Sequence, residues 1–261
     1  MTGRSGRHGV RARGEELAAP AEPGRVGPPV HWRDRLAAAV REGRRTGALP
    51  LLAVLLLPIP FLLVAHQLHY WDVWPFYSER WIVNGDRTVI EIFGYVQLAV
   101  AAVLLAVVGR RQHQGPVYAA WAATLVVVVI DDSMRLHERG GGWLVRRDLV
   151  PELLGLRPQA LGELLTWVLI GIPVLVLLFV AHRASAPGAQ ADSWRLAALM
   201  VLLMAFGLGV DVVHELIEEL TDNGVVDLLV TFVESGGELG AMSALLAYAF
   251  HLLRRPAVAI R

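Results

Sequence analysis

Apolar runs alternate with short polar segments along the chain. The runs cover residues 48–65, 88–108, 117–134, 161–181, 194–216 and 226–253. Most reach the ~17–25 residues that a helix needs to cross a bilayer. The pattern predicts an all-α fold, a polytopic membrane helix bundle with about six transmembrane helices. Pro58 and Pro60 are expected to kink the first. Residues 66–86 carry Tyr70, Trp71, Trp74, Phe76, Tyr77 and Trp81, an aromatic density that marks a membrane interface. Residues 135–160 read as a loop, flexible at glycines 140–142, with a short interfacial helix over 143–154. A small polar loop is expected over 182–193, and a turn at 221–224.

Residues 1–46 form a basic tail in this reading. Its first 30 residues are rich in Arg, Gly, Pro and Ala, show no apolar period and are expected to be disordered. Residues 31–45 differ. Trp32, Leu36, Ala37 and Val40 share one helical face, with Arg33, Arg35, Arg41 and Arg44 elsewhere. That pattern fits a basic amphipathic helix on anionic lipid, or a solvated linker. Residues 47–255 are the six-helix transmembrane domain, and 256–261 a short second tail.

Six crossings put both termini on one side. Segments on that side hold 17 arginines against 7 on the other, so both termini are expected to be cytoplasmic. The 24 basic residues are all arginine, which suggests a high-GC bacterial genome and hence the bacterial inner (cell) membrane. Of the 261 residues, 55% are hydrophobic and 18% charged, below the ~25% charged of soluble domains. There is no cysteine, which excludes disulfides, thiolate ligands and thiol nucleophiles. No P-loop or dinucleotide fingerprint follows a strand pattern, and no nucleic-acid partner is expected.

Alternating helix direction gathers the polar residues. Run one ends with His66 and His69, and run two begins with Glu91. Run three ends with Asp131, Asp132, His137 and Glu138, and run four begins with Glu163. Run five ends with Asp211, His214, Glu215 and Glu218, whose i, i+3, i+4, i+7 spacing forms one stripe. Run six begins with Glu234 and Glu238. All of these fall in the outer half, while the cytoplasmic halves read as almost free of ionisable groups. An acid near the middle of a membrane helix costs about 2.5–3.5 kcal/mol on insertion scales, so Glu238 is expected to face the bundle interior.

Three chemistries suit such a cluster. Asp211-x-x-His214 has the spacing of carboxylate-bridged metal bundles. With Glu91, Asp131, His137, Glu234 and Glu238 it offers donors for iron, zinc or manganese. Glu215 is then the expected general base, with Asp132 as a further catalytic group. Buried acids also bind protons or cations in carriers. Finally, Arg87, Arg135 and Arg139 could pair with Glu91, Asp131 and Glu138 and only lock helices, with Gly236-x-x-x-Gly240 allowing close packing.

Three patches stand out together: Glu91-Ile-Phe-Gly-Tyr-Val-Gln97, Asp131-Asp-Ser-Met-Arg-Leu-His-Glu138 and Val233-Glu-Ser-Gly-Gly-Glu-Leu-Gly-Ala-Met242. They resemble a loose group of uncharacterised bacterial multi-pass membrane proteins with an acidic-pair/His-Glu helix and a late Glu-x-x-x-Glu helix. The resemblance implies one shared site but no reaction. The expected function is a metal-dependent membrane hydrolase or oxidoreductase, acting on a membrane lipid or small amphiphilic substrate. The competing expectations are a proton- or cation-coupled transporter and a structural or partner-binding membrane protein.

Overall fold

The computed structural model describes residues 31–83, 85, 87–111, 115–150, 157–210 and 224–255. Among these residues the fold is helical, with no strand. The chain divides into two units, Met1–Ala38 and Ala39–Arg261. Of the first, residues 31–38 are described. They open helix α1 (Trp32–Thr46), on which Trp32, Leu36 and Val40 are exposed. The tail over 1–30 and the end over 256–261 lie outside the described residues.

The membrane domain follows. The first apolar run forms two helices, α2 (Ala48–Leu56) and α3 (Pro58–Tyr70). The break falls where Pro58 removes a backbone donor, as its chemistry requires. Next come α4 (Val89–Arg111), α5 (Pro116–Met134), α6 (Leu136–Val145), α7 (Pro158–Arg183), α8 (Pro187–Met204) and α9 (Gly224–Arg254). A π-helical segment, Ala205–Val210, continues α8. Among the described residues, five stretches are long and apolar enough to cross a membrane: α2 with α3, α4, α5, α7, and α8 with its π-helical extension. A further long helix, α9, has 31 residues and carries Glu234 and Glu238.

Leu98 of α4, Leu125 of α5, Leu196 of α8 and Leu245 of α9 meet in the buried core. Helix α7 stands at the rim, with Leu175, Val176, Phe179 and Val180 exposed. Lipid is as apolar as these side chains, so packing and polar contacts must hold the bundle together.

Two expectations are corrected here. The 135–160 segment is not a plain loop with a helix at 143–154. Arg135 takes a left-handed conformation (φ 51°) that ends α5 and starts α6, which runs through all three glycines to Val145. The glycines serve close packing: a Cβ on Gly141 would lie 2.6 Å from the Glu163 backbone nitrogen of α7. Nor does Gly236-x-x-x-Gly240 make the close contact expected of it. A Cβ at 236 would meet only ordinary neighbours, and at 240 nothing within 4 Å; the Phe206 ring instead lies over Gly237.

A third correction concerns the end of the bundle where the fifth apolar run begins. The segment before that run is not a loop reaching Ser193. Helix α8 begins at Pro187, so Asp192 sits inside the bundle, 0% exposed. It accepts hydrogen bonds from Tyr118 Oη of α5 (2.7 Å) and Tyr248 Oη of α9 (2.9 Å). Arg195 Nη1 (2.9 Å) and Arg255 Nη2 (2.6 Å) also donate to it. Burial opposes the charge of Arg255, but its bonds and attraction to Asp192 prevail and hold its pKa above the usual guanidinium value. Nearby, Trp121 Nε1 donates to Ser193 Oγ at 2.9 Å, and Thr46 Oγ1 lies 3.1 Å from His251 Nδ1. Ends of α1, α5, α8 and α9 therefore meet at one end of the bundle, as alternating direction demands.

Candidate functional site

The opposite end is built from shorter-range chemistry. His66, buried near the end of α3, accepts the Val83 backbone N–H at 3.0 Å and anchors the segment between α3 and α4. Glu91 lies in the first turn of α4, where unpaired amide groups favour a negative charge. Its carboxylate accepts the Arg87 backbone N–H and the Tyr95 hydroxyl. Asp132, at the end of α5, lines the same cavity as this tyrosine. Tyr95 thus stands beside carboxylates from two adjacent helices.

The neighbouring acid faces elsewhere. Asp131, 2% exposed, accepts both the backbone N–H of His137 (3.1 Å) and its Nδ1–H (3.0 Å). These two hydrogen bonds tie the first turn of α6 to the end of α5 across the Arg135 turn. The ring of Trp167 in α7 lies 5.4 Å from the His137 ring. Glu138 pairs with Arg135, not Arg139. Gln159 Nε2 donates to the Glu138 carbonyl at 3.2 Å and to Glu163 Oε1 at 2.6 Å, joining α6 to the start of α7.

Two cavities open among these groups. An inner one of about 210 Å³ is lined by Glu91, Tyr95, Asp132, Ser235 and Glu238. Glu238 comes from α9, roughly 21 Å along that helix at 1.5 Å per residue. The π-helical segment passes beside it: a Cβ on Gly207 would come within 2.5 Å of Glu238 Oε1. A side chain at 207 would require the Glu238 carboxylate to shift. An outer cup of about 670 Å³ is lined by Arg87, Arg135, Arg139 and Arg146. Glu91 and Asp132 line both spaces, so the two cavities adjoin at these carboxylates. Deeper in the bundle, Gln97 (2% exposed) accepts the Ser243 hydroxyl at 2.9 Å across α4 and α9.

The family assignment follows from the chain as a whole. The profile described as "Domain of unknown function (DUF8692)" matches residues 44–252. The chain belongs to the DUF8692 family. No curated protein and no solved structure matches it significantly. The DUF8692 match takes in every membrane helix and both cavities.

The residues expected at this DUF8692 site divide into four groups. Glu91, Asp132 and Glu238 are brought together around the inner cavity. Asp131 and His137 are brought to each other. Glu234, one turn before Glu238, lines neither cavity. Asp211, His214 and Glu215 lie outside the described residues. Among the described residues, no three His, Asp or Glu side chains come together as a group able to hold a metal ion. Sequence reasoning missed Tyr95, although Glu91 and Tyr95 stand at i, i+4 on one helix face. It also missed Arg146 and Gln159, whose roles depend on α6 folding back on α7.

Proposed function

We propose that this DUF8692 protein acts on a lipid or other amphiphile from the outer half of its bundle. The observation that carries the reading is an arginine-lined cup that shares two carboxylates, Glu91 and Asp132, with a neighbouring inner cavity. A headgroup held in the cup has its reactive atoms beside acid–base groups. Asp132, beside the hydrogen-bonded Tyr95–Glu91 pair, is suited to take or give a proton. Glu215 keeps the general-base role proposed from its stripe. A divalent metal (iron, zinc or manganese) enters this reading through Asp211 and His214, because the described donors do not assemble a metal-holding group by themselves. The reaction is then hydrolysis or oxidoreduction at the amphiphile. We further propose the inner membrane of a bacterium, with both termini cytoplasmic. The 17-to-7 arginine bias and the Thr46–His251 contact support that orientation.

The test is a lipid profile by mass spectrometry of proteoliposomes made from a bacterial lipid extract, beside elemental analysis of the purified protein. Wild type should consume one lipid class and carry stoichiometric metal. Glu238→Gln and Asp132→Asn should leave the lipids unchanged, and His214→Ala should lose the metal. An unaltered profile from well-folded wild type, even with metal added back, refutes the enzyme reading. A second reading, a proton or cation carrier, draws on Asp132 beside the Tyr95–Glu91 pair. It requires ion-dependent uptake into proteoliposomes, which the enzyme reading does not.

A further inference from the structure

The outer cup has a composition that bears on what it holds. Its four guanidiniums come from separate places in the chain. Arg87 precedes α4, Arg135 forms the α5–α6 turn, Arg139 lies in α6 and Arg146 follows it. The Asp131–His137 bonds help bring them together by tying the first turn of α6 to the end of α5. Three carboxylates share the lining: Glu91, Asp132 and Glu138. Four positive and three negative groups leave one positive charge. Ser133 and Gln159 add neutral polar groups to the wall. At position 142 a Cβ would lie 3.2 Å from Arg146 Nη1 and 3.6 Å from Gln159 Oε1, so glycine leaves these two side chains close together at the rim.

From this arrangement we infer that the cup binds a phosphate ester, with the phosphoryl oxygens held by arginine forks. The inference rests on the proposed action on an amphiphile and extends it to the headgroup. Guanidinium is planar and presents paired donors that match phosphate oxygens two at a time. A phosphodiester carries one negative charge and brings the lining to neutrality. The volume of about 670 Å³ takes a headgroup of that class with water. Below Gln159, the exposed face of α7 offers Leu164, Val168 and Leu169 to acyl chains. The carboxylates at the floor of the cup keep the ester from sinking into the inner cavity while leaving its neighbouring atoms near Asp132. The same chemistry serves a lipid headgroup and a soluble phosphate ester, and the experiment separates them.

Full-length protein in detergent is titrated by native mass spectrometry with three probes. These are short-chain phosphatidylglycerol, glycerol phosphate and the short-chain diacylglycerol that lacks phosphate. Phosphatidylglycerol should bind and diacylglycerol should not. The Arg139→Gln/Arg146→Gln double variant should weaken binding roughly tenfold or more, since two charged forks are lost together. Arg139→Lys keeps the charge but not the fork and should fall between the two. Arg110→Gln, at the far end of α4, should bind as wild type does. Glycerol phosphate binding as tightly as the lipid identifies a soluble ester as the ligand and supports the phosphate site. Diacylglycerol binding as tightly as phosphatidylglycerol overturns it, as does an Arg139→Lys variant that folds and binds like wild type together with an unaffected double variant. The titration reads binding without turnover. A failed phosphate site therefore leaves the acid–base reading standing, and a protein that binds phosphate but alters no lipid removes that reading alone.

Discussion

Replacing Asp192 by Asn tests the polar network at the closed end of the bundle. The change keeps size and shape and removes one negative charge. Asp192 is 0% exposed and receives both tyrosine hydroxyls and both arginines. Breaking a buried ion pair from one side costs about 3–5 kcal/mol. The arginines are not equally trapped, however: the Arg255 side chain is 25% exposed and that of Arg195 59%. Both can recover some hydration, which lowers the expected loss to about 2–4 kcal/mol. The new amide also points a donor at donors, so the loss stays well above that of an ordinary surface pair. For a domain of this size the shift corresponds to roughly 5–15 °C in melting temperature. Thermal unfolding of the detergent-purified protein measures it. Tyr118→Phe should lose about 1 kcal/mol and Arg195→Gln about 0–1 kcal/mol, setting a rank order. A double-mutant cycle of Asp192→Asn with Arg255→Gln should show strong coupling. An Asp192→Asn melting curve that overlays wild type, or a cycle with no coupling, would refute the account of this network.

Three further outcomes follow. Gly141→Ala should destabilise by about 1–3 kcal/mol, because the new methyl meets α7 backbone, whereas Gly171→Ala, with nothing within 4 Å, should not. Parallel melting curves distinguish them. Asp131→Ala removes the acceptor of two His137 donors and should raise amide hydrogen exchange over residues 136–145 while sparing α4. Ser243→Ala leaves the buried Gln97 oxygen without its donor and should lower stability by about 1–2 kcal/mol, read by the same melting assay.

The membrane helices were legible because apolar length alone reports them. Their ends were less so. Hydropathy assigns Pro187–Asp192 to a loop, since Gln190 and Asp192 depress the average there, yet proline at the first helical position and Asp192-x-x-Arg195 spacing both signal a helix. Helix α6 was hidden for another reason. Three successive glycines each disfavour a helix by about 1 kcal/mol relative to alanine, and only the close crossing with α7 offsets that. Tertiary contact is invisible in a local pattern. The gathering of acids in the outer half was readable from alternation, but their partition was not. Asp131 and Asp132 are adjacent, so their side chains diverge around the helix: one meets His137 and the other lines the cavity beside Tyr95. Deciding which acid turns which way requires the rotation of α5 about its axis, and the sequence carries no direct record of that angle.

The Asp192 network also has a consequence for how the protein is made. Its acid is synthesised and inserted with α8, but Arg255 lies 63 residues further along and follows the last helix. Tyr248 is 56 residues later. During that interval Asp192 has Arg195, one turn away on its own helix, and Tyr118, already delivered with α5. The helix hairpin therefore enters the bilayer with its buried charge half compensated and waits for the C-terminal segment to complete the set. A chain that stops before Arg255 leaves that charge short of partners, which gives the cell's quality control a chemical difference between a finished molecule and an unfinished one.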